Sequence, residues 1–212
     1  DKPADQGVYT FEFHRNMLLS FLDQLELTGL TLVAQDWGGV LGLTLPMEAP
    51  QRFSRLLLMN TLLGTGDRPL GEGFLAWRAW CRNNPDMAPG KLLGRACPHL
   101  NDAEKAAYDA PFPDMTYKAG ARAFPELVPE HPDAPGAELS RNARDWLSGK
   151  WSGETFMAIG MTDPVIPPPA MRALQKLIRG CAEPLEIPSG GHFLQEWGEP
   201  VAQAALAHWA RK

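Results

Sequence analysis

The sequence LTLVAQDWGG, residues 30–39, decides the fold. Its apolar start, residues 30–34, has the length and character of a short strand. Gln35 and Asp36 follow that run, and Trp37 and a glycine pair come next. A strand that runs into an acidic residue and then small residues is typical of a nucleophile elbow, a strained turn that exposes one side-chain oxygen. Serine usually occupies such a turn, so aspartate predicts displacement at carbon by a carboxylate instead of acyl transfer.

A simpler interpretation is that Asp36 only caps the next helix. Aspartate is a favoured N-cap residue because its carboxylate accepts hydrogen bonds from the exposed amides and complements the helix dipole. The elbow motif alone leaves both interpretations open. If the elbow interpretation holds, the chemistry is dehalogenation or epoxide opening, and other residues have to support it.

A helix is predicted before the elbow strand. Thr10 can cap it, Glu12 lies in its first turn, and Gly29 is expected to end it. Its apolar positions recur every four residues, at Phe13, Met17, Phe21 and Leu25.

Strands and helices alternate along the rest of the chain. The further strands are predicted at residues 55–60, 154–160 and 184–187. The further helices are predicted at residues 38–47, limited by Pro46 and Pro50, at the triple proline 167–169 through Ile178 with Gly180 as its end, and at residues 199–211. This order indicates an α/β fold with a doubly wound, mostly parallel sheet.

Residues 61–150 interrupt this alternation with prolines, glycines, aromatic residues and short helical patterns. They are predicted to form a helical cap between two core segments, residues 1–60 and 151–212. The cap contains a GxGxxA match at residues 71–76. No strand precedes it, so it is interpreted as a loop entering a cap helix and not as a dinucleotide site.

The composition excludes several classes of protein. The 212 residues, 44% of them hydrophobic, can form a proper core, and a net charge of -5 without a basic cluster argues against nucleic-acid binding. Three scattered cysteines suggest neither a disulfide framework nor a zinc site, which favours a reducing, cytoplasmic location. No apolar run approaches the roughly 18 residues of a membrane span. No cofactor, metal, nucleic acid or membrane partner is expected.

Two residues complete a possible triad in the chain order nucleophile, acid, histidine. Asp163 follows the strand at 154–160, and His192 follows the last strand within Ser189–Phe193. Asp163 alone could equally be a turn-forming aspartate before proline. A lone loop histidine is more often structural than catalytic. Their order after Asp36 is what favours catalysis.

These motifs resemble those of haloalkane dehalogenases, the Asp-nucleophile members of the α/β-hydrolase fold. The matching stretches are VAQDWGG at 33–39, GFLAW at 73–77, GMTD at 160–163 and GHF at 191–193. The resemblance implies that a small haloalkane and water give an alcohol, a halide ion and a proton. It also implies a monomer.

The resemblance further implies a role for each site residue. Asp36 would form an alkyl ester, and His192, oriented by Asp163, would activate water against that ester. The indoles of Trp37 and Trp77 would bind the halide, and the Trp37 amide would stabilise the oxyanion. Trp77 could instead belong to a packed aromatic stripe. The candidate pocket walls are Val40, Phe74, Phe124, Pro125, Val128, Val165 and Ile166.

The chain departs from the family pattern at its start. Family members carry strands before the nucleophile and a His-Gly-x-Pro loop that supplies a second oxyanion donor, and neither is present here. The opening residues 1–7 resemble a loop. We therefore expect these residues to be the C-terminal part of a longer enzyme, with an elbow strand that lacks one neighbour and weak activity of the chain by itself.

Three other functions are alternatives to haloalkane hydrolysis. An epoxide hydrolase would use the same triad with cap tyrosines as proton donors, for which Tyr108 and Tyr117 are the candidates. A fluoroacetate-type dehalogenase would need a cation after the nucleophile, and Trp37 argues against it. A catalytically silent hydrolase-fold fragment is the non-enzyme alternative.

Overall fold

Four parallel strands form the centre of residues 2–210, the part of the chain described by the computed structural model. They lie in the order β1-β2-β3-β4 and span Leu30–Asp36, Phe53–Thr61, Glu154–Gly160 and Leu185–Ile187. The strand predictions are confirmed to within two residues at each end. Because the carboxyl ends of parallel strands meet at one edge of the sheet, residues that follow these strands come together there.

Ten α-helices surround this sheet within the described residues. They are α1 (Phe11–Gln24), α2 (Trp37–Gly42), α3 (Leu45–Glu48), α4 (Glu72–Asn83), α5 (Pro89–Ala96), α6 (Asp102–Asp109), α7 (Ala119–Ala123), α8 (Ala137–Gly149), α9 (Pro168–Leu177) and α10 (Gly198–Trp209). The predicted starts of α1 after Thr10 and of α9 in the triple proline are confirmed. The last helix was predicted to reach Arg211, which lies outside the described residues, as does position 1 of the predicted opening loop.

The prediction that Gly29 ends α1 is wrong. The helix ends five residues earlier, where Glu26 adopts a left-handed φ of 50°. The Glu26 amide donates to the Asp23 carbonyl and the Leu27 amide to the Leu22 carbonyl, each at 3.1 Å. These two bonds are those of a Schellman motif, which satisfies the last carbonyls of a helix. Gly29, with φ of 63°, instead forms the turn into β1.

The apolar positions that predicted α1 do not face the core. Phe13, Met17, Phe21 and Leu25 keep 37–57% of their surface exposed. The buried face carries Phe11, Arg15 and Leu22 instead. Period-four spacing therefore identified the helix, but not the side of the helix that the rest of the chain covers.

The single helix predicted at residues 38–47 is two helices. Helix α2 ends at Gly42, and α3 starts at Leu45. Pro46 explains the break, because proline has no amide hydrogen to bond the carbonyl four residues earlier, and its ring clashes with that carbonyl. That residue is Gly42.

Helices cover both faces of the sheet. Along β2, Leu56 and Leu58 pack into the main core with Ala143 and Leu147 of α8. The alternate positions of β2 face a second cluster that contains Val201 and Ala205 of α10. This alternation of side chains along a strand confirms the doubly wound sheet. Since α8 lies within residues 61–150 but packs on the core, the domain boundaries stay a prediction.

Strand β1 is the edge of the sheet. Within residues 2–210 it pairs only with β2, which confirms the expectation that the elbow strand lacks one neighbour. Val33 on this edge is 59% exposed. A groove of about 360 Å³ runs beside it, with a largely apolar lining that includes Leu18, Phe21 and Leu27. No helix among the described residues is long and apolar enough to cross a membrane.

Candidate active site

Asp36 occupies a strained corner between β1 and α2. Its φ of 48° and ψ of -121° are unusual for a residue other than glycine. Its side chain makes no capping hydrogen bond to α2. The cap interpretation is therefore wrong, and the backbone has the geometry expected of a nucleophile elbow.

Close packing behind Asp36 holds this corner. A Cβ built on Gly39 would lie 2.0 Å from Thr61 Oγ1, so only glycine lets α2 approach β2 this closely. The Thr61 hydroxyl donates to the Asp36 carbonyl oxygen at 2.6 Å. The glycine pair in the sequence predicted such an approach, but not the threonine that uses it.

Asp163 is completely buried and fully hydrogen-bonded. Its Oδ1 accepts from the amides of Val165 at 2.7 Å and Ile166 at 3.0 Å, which is the bonding expected of a turn-forming aspartate. Its Oδ2 accepts from Asn60 Nδ2 at 2.7 Å and lies 2.9 Å from His192 Nδ1. These contacts fix the position of the Asp163 carboxyl group beside the imidazole of His192.

Asn60 is a site residue that the sequence reasoning missed. It is buried at the end of β2, with φ of 28°, and its Oδ1 accepts from the Gly160 amide at 2.7 Å. It thus connects the end of β3 with the carboxylate of Asp163. A polar residue directly after the apolar run 56–59, at the same sheet edge as Asp36, was the signal that could have identified it.

His192 lies between the two carboxylates. Its Nδ1 is bonded to Asp163, and its Nε2 lies 3.7 Å from Asp36 Oδ1. A Cβ on Gly160 would lie 2.3 Å from the Gly191 carbonyl oxygen, which shows how tightly the histidine loop packs on β3. The three residues predicted as a triad are therefore brought together in one place.

The electrostatics of this place couple Asp36 to His192. Burial raises the pKa of Asp36, although the charge of His192 and the Trp37 amide oppose that rise. Burial would lower the pKa of His192, but the hydrogen bond to Asp163 and the charges of both aspartates outweigh it and raise the pKa. The Asp36 side chain is nevertheless 38% exposed, so a small molecule can reach a carboxylate that protein largely surrounds.

Comparison with known proteins agrees with this geometry. Residues 1–199 match the model of the alpha/beta hydrolase fold family. A haloalkane dehalogenase of Psychrobacter cryohalolentis is 44% identical over 208 residues, which are 96% of this chain and 68% of that protein. The chain belongs to the haloalkane dehalogenase family. A second haloalkane dehalogenase, from Mycolicibacterium paratuberculosis, is 33% identical. The match covers 99% of this chain and 69% of that protein.

A solved structure supports membership of the haloalkane dehalogenase family in three dimensions. It is the tetrameric structure of haloalkane dehalogenase DpaA from Paraglaciecola agarilytica NO2, with a TM-score of 0.95 and 43% sequence identity. The match covers 98% of this chain and 69% of that one.

Three of the predicted pocket residues lie around the Trp37 side of the site. Trp37 makes an edge-to-face contact with Phe124, at 4.9 Å between ring centroids and 87° between planes. Both rings pack on the cluster that contains Val40, and Pro125 is buried next to Phe124. This grouping is consistent with a pocket wall, but the individual roles stay predictions.

The other predicted residues of the dehalogenase site are placed differently. Trp77 stacks on Trp80, with ring centroids 5.5 Å apart, as the aromatic-stripe alternative would have it. The start of α4 touches the acid loop, because a Cβ on Gly73 would lie 1.8 Å from the Pro164 carbonyl oxygen. Phe74 follows at once and, like Val128 and Val165, is partly buried. Ile166 packs in the main core, and it meets the site through its backbone.

The two tyrosines on which an epoxide hydrolase would depend are unsuited to that role. The Tyr108 hydroxyl donates to Glu196 Oε1, which gives it a partner outside the triad. Tyr117 is 43% exposed. Among the hydrogen bonds of residues 2–210, neither tyrosine contacts Asp36 or His192.

The same residues contain no group of three or more His, Cys, Asp or Glu side chains that is arranged to hold a metal ion.

Proposed function

We propose that this protein hydrolyses small haloalkanes to an alcohol, a halide ion and a proton through a covalent alkyl ester on Asp36. The observation that carries the proposal is the elbow carboxylate of Asp36, 3.7 Å from an imidazole nitrogen whose other nitrogen is held by Asp163. The family membership supports the same reaction.

In the first step, one carboxylate oxygen of Asp36 attacks the halogen-bearing carbon from the side opposite the halogen. A carbon–oxygen bond forms, and the carbon–halogen electron pair leaves as halide. Burial of Asp36 supports this step, because the raised pKa means that the ionised carboxylate is poorly solvated and gains by becoming an uncharged ester.

The departing halide needs hydrogen-bond donors in an apolar site. Indole is a donor only, which suits an anion, and Trp37 is adjacent to the nucleophile. We assign halide binding to Trp37 and Trp77. For Trp77 this requires its indole N–H to face the site while its ring stays stacked on Trp80.

In the second step, His192 takes a proton from water, and the resulting hydroxide attacks the carbonyl carbon of the ester. The Trp37 amide, already close enough to lower the pKa of Asp36, would donate to the oxyanion. The intermediate then collapses with cleavage of the bond between the carbonyl carbon and the alkoxy oxygen. The alkoxide leaves as the alcohol with the proton of the added hydroxyl, which restores the carboxylate, and His192 releases its proton to solvent.

Ester formation also changes the pKa of the base, His192. The charge of Asp36 is one of the causes that raise the pKa of His192, and the alkyl ester has no charge. Removing that charge lowers the pKa of His192, so the imidazole loses its proton more readily at the stage when a neutral base is required.

The test is an intact mass spectrum of His192→Phe after exposure to a short bromoalkane. Loss of the base should leave the alkyl ester in place, so we expect one alkyl adduct that maps to Asp36. Asp36→Asn is the matched control and should show no adduct. A folded His192→Phe protein that shows no adduct, either by itself or after fusion to the part of the Psychrobacter relative that it does not match, would contradict the proposal and favour the catalytically silent alternative.

If the chain shows no adduct by itself, the same test is repeated after fusing it to the part of the Psychrobacter relative that it does not match.

We propose that this protein is a monomer, although the Paraglaciecola structure is tetrameric. The mass of the particle in solution, from light scattering, distinguishes the two states. The cytoplasmic location stays a prediction.

A further inference from the structure

Gln35, the residue before the nucleophile, is hydrogen-bonded to the backbone of the base. Its Nε2 donates to the His192 carbonyl oxygen at 2.9 Å, across 157 positions of sequence. Gln35 lies on β1, at one end of the strand order, whereas His192 follows β4 at the other end. This bond therefore links the two ends of the carboxyl edge of the sheet.

The other polar contacts of the histidine loop hold it to the acid side of the site. Asp163 bonds the imidazole, and Thr162 donates to the Gly190 carbonyl oxygen from both its amide and its hydroxyl, each at 2.9 Å. The Leu194 amide also donates to the His192 carbonyl at 2.9 Å, but this bond lies within the loop itself. The hydrogen bond from the Gln35 side chain to the His192 carbonyl oxygen thus connects the base to the strand that carries the nucleophile.

We propose that Gln35 is a positioning residue, which sets the spacing between His192 and Asp36 by holding the main chain of the histidine. This inference rests on the proposed function. The base acts only in the second step, when water must fit between Nε2 and the ester carbonyl. Loss of the Gln35 bond should therefore slow hydrolysis of the alkyl ester and leave its formation unchanged.

The first experiment measures the two steps separately in Gln35→Leu. Rapid mixing with a short bromoalkane gives the rate of bromide release in the first turnover, and the steady state gives the hydrolysis rate. We expect the first rate to stay within about twofold and the second to fall about tenfold or more, since a misplacement of about 1 Å can cost roughly 100-fold. A burst of bromide and an alkyl adduct in the steady state would follow.

Gln24→Leu is the matched control, because Gln24 also carries an amide whose bond, to Ser20 on the surface of α1, lies away from the site. It should leave both rates unchanged. Equal losses in both steps of Gln35→Leu, or no loss in either step, would overturn the inference. Gln35→Glu should slow hydrolysis as well, because a carboxylate cannot donate to the carbonyl.

A second measurement separates this inference from the proposed function. The His192 imidazole is titrated by NMR in the unmodified protein and in Gln35→Leu. Asp36 and Asp163 face that imidazole, so a change in its distance from Asp36 changes its titration midpoint. A shifted midpoint in Gln35→Leu supports positioning even if no haloalkane is turned over, whereas an unchanged midpoint overturns it. Absence of bromide release from the unmodified protein would contradict only the proposed function.

Discussion

Asn60 and Asp163 are joined by a buried hydrogen bond of 2.7 Å between Asn60 Nδ2 and Asp163 Oδ2. The same oxygen of Asp163 lies 2.9 Å from His192 Nδ1. Asn60 therefore shares the oxygen that orients the base, and it does so from the end of the neighbouring strand β2. Loss of Asn60 would leave a buried carboxylate with one donor fewer and the Gly160 amide without its Asn60 acceptor.

For Asn60→Ala we expect a loss of stability of about 1–3 kcal/mol, which is the usual cost of leaving buried polar groups without a partner. We also expect slower hydrolysis of the alkyl ester, because Asp163 would be less firmly held. Urea unfolding and single-turnover kinetics measure the two effects. Asn84→Ala removes another side-chain bond, to the Trp80 carbonyl, and should leave turnover unchanged. Unchanged stability and turnover in Asn60→Ala would contradict this role.

Asp36→Asn should abolish turnover and stabilise the fold at neutral pH. The folded pKa of Asp36 is raised above its ordinary value, so its contribution to stability is largest below that value and is lost as pH rises through the folded pKa. The asparagine variant has no such loss, because asparagine is uncharged at every pH, so it should be the more stable protein above the folded pKa of Asp36. The gain should be larger at pH 8 than at pH 4 in urea unfolding. A gain that is equal at both values would argue against a charge effect.

The hydrolysis step should depend on pH through His192. Its pKa is raised in the free protein, where Asp36 is charged, and hydrolysis needs the neutral base. We expect the rate of ester hydrolysis to fall as pH falls, with a midpoint below the pKa of His192 in the free protein, because the ester has removed the charge of Asp36. Rapid-mixing kinetics over a range of pH give the midpoint of the hydrolysis step, and NMR titration gives the pKa of His192 in the free protein. A hydrolysis midpoint at or above the NMR value would contradict this coupling.

Trp77 and Trp80 stack on one another but should differ in halide binding. If Trp77 binds the halide, Trp77→Phe should weaken bromide binding by about tenfold or more, in the range of one lost hydrogen bond to a charged group. Trp80→Phe is the control and should bind bromide normally. Quenching of tryptophan fluorescence by bromide measures both affinities. Equal affinities in the two variants would return Trp77 to the role of a packed aromatic residue.

Tyr108→Phe tests the epoxide alternative. Because its hydroxyl donates to Glu196, we expect haloalkane turnover to stay within a few fold and stability to fall by about 1 kcal/mol. Tyr117→Phe, at an exposed position, should change neither. Diol formation from a short epoxide that is abolished in Tyr108→Phe, with no halide release from bromoalkanes by the unmodified protein, would reverse the assignment.

Local patterns predicted the strands and the starts of four of the ten helices, because each depends on residues close together in the chain. The apolar runs of β1 to β3 identified strands, of which β2 and β3 are mostly buried. Thr10 accepts from the Phe13 amide at 3.1 Å, as a cap residue does. The end of α1 was missed because it depends on Glu26 adopting a left-handed conformation, which glutamate seldom signals. The break at Gly42 could have been predicted from Pro46, since both residues lie in one local stretch.

By itself, the sequence determined the α/β order of strands and helices, and it identified Asp36, Asp163 and His192 as the candidate triad. Each of these three follows a strand, and the parallel arrangement brings their carboxyl ends to one edge. Only the tertiary structure decided which face of α1 is buried, and that Asn60 and Gln35 hold the acid and the base. Those contacts join residues about 100 and 157 positions apart, and no local pattern of polarity specifies which distant atom an amide will meet.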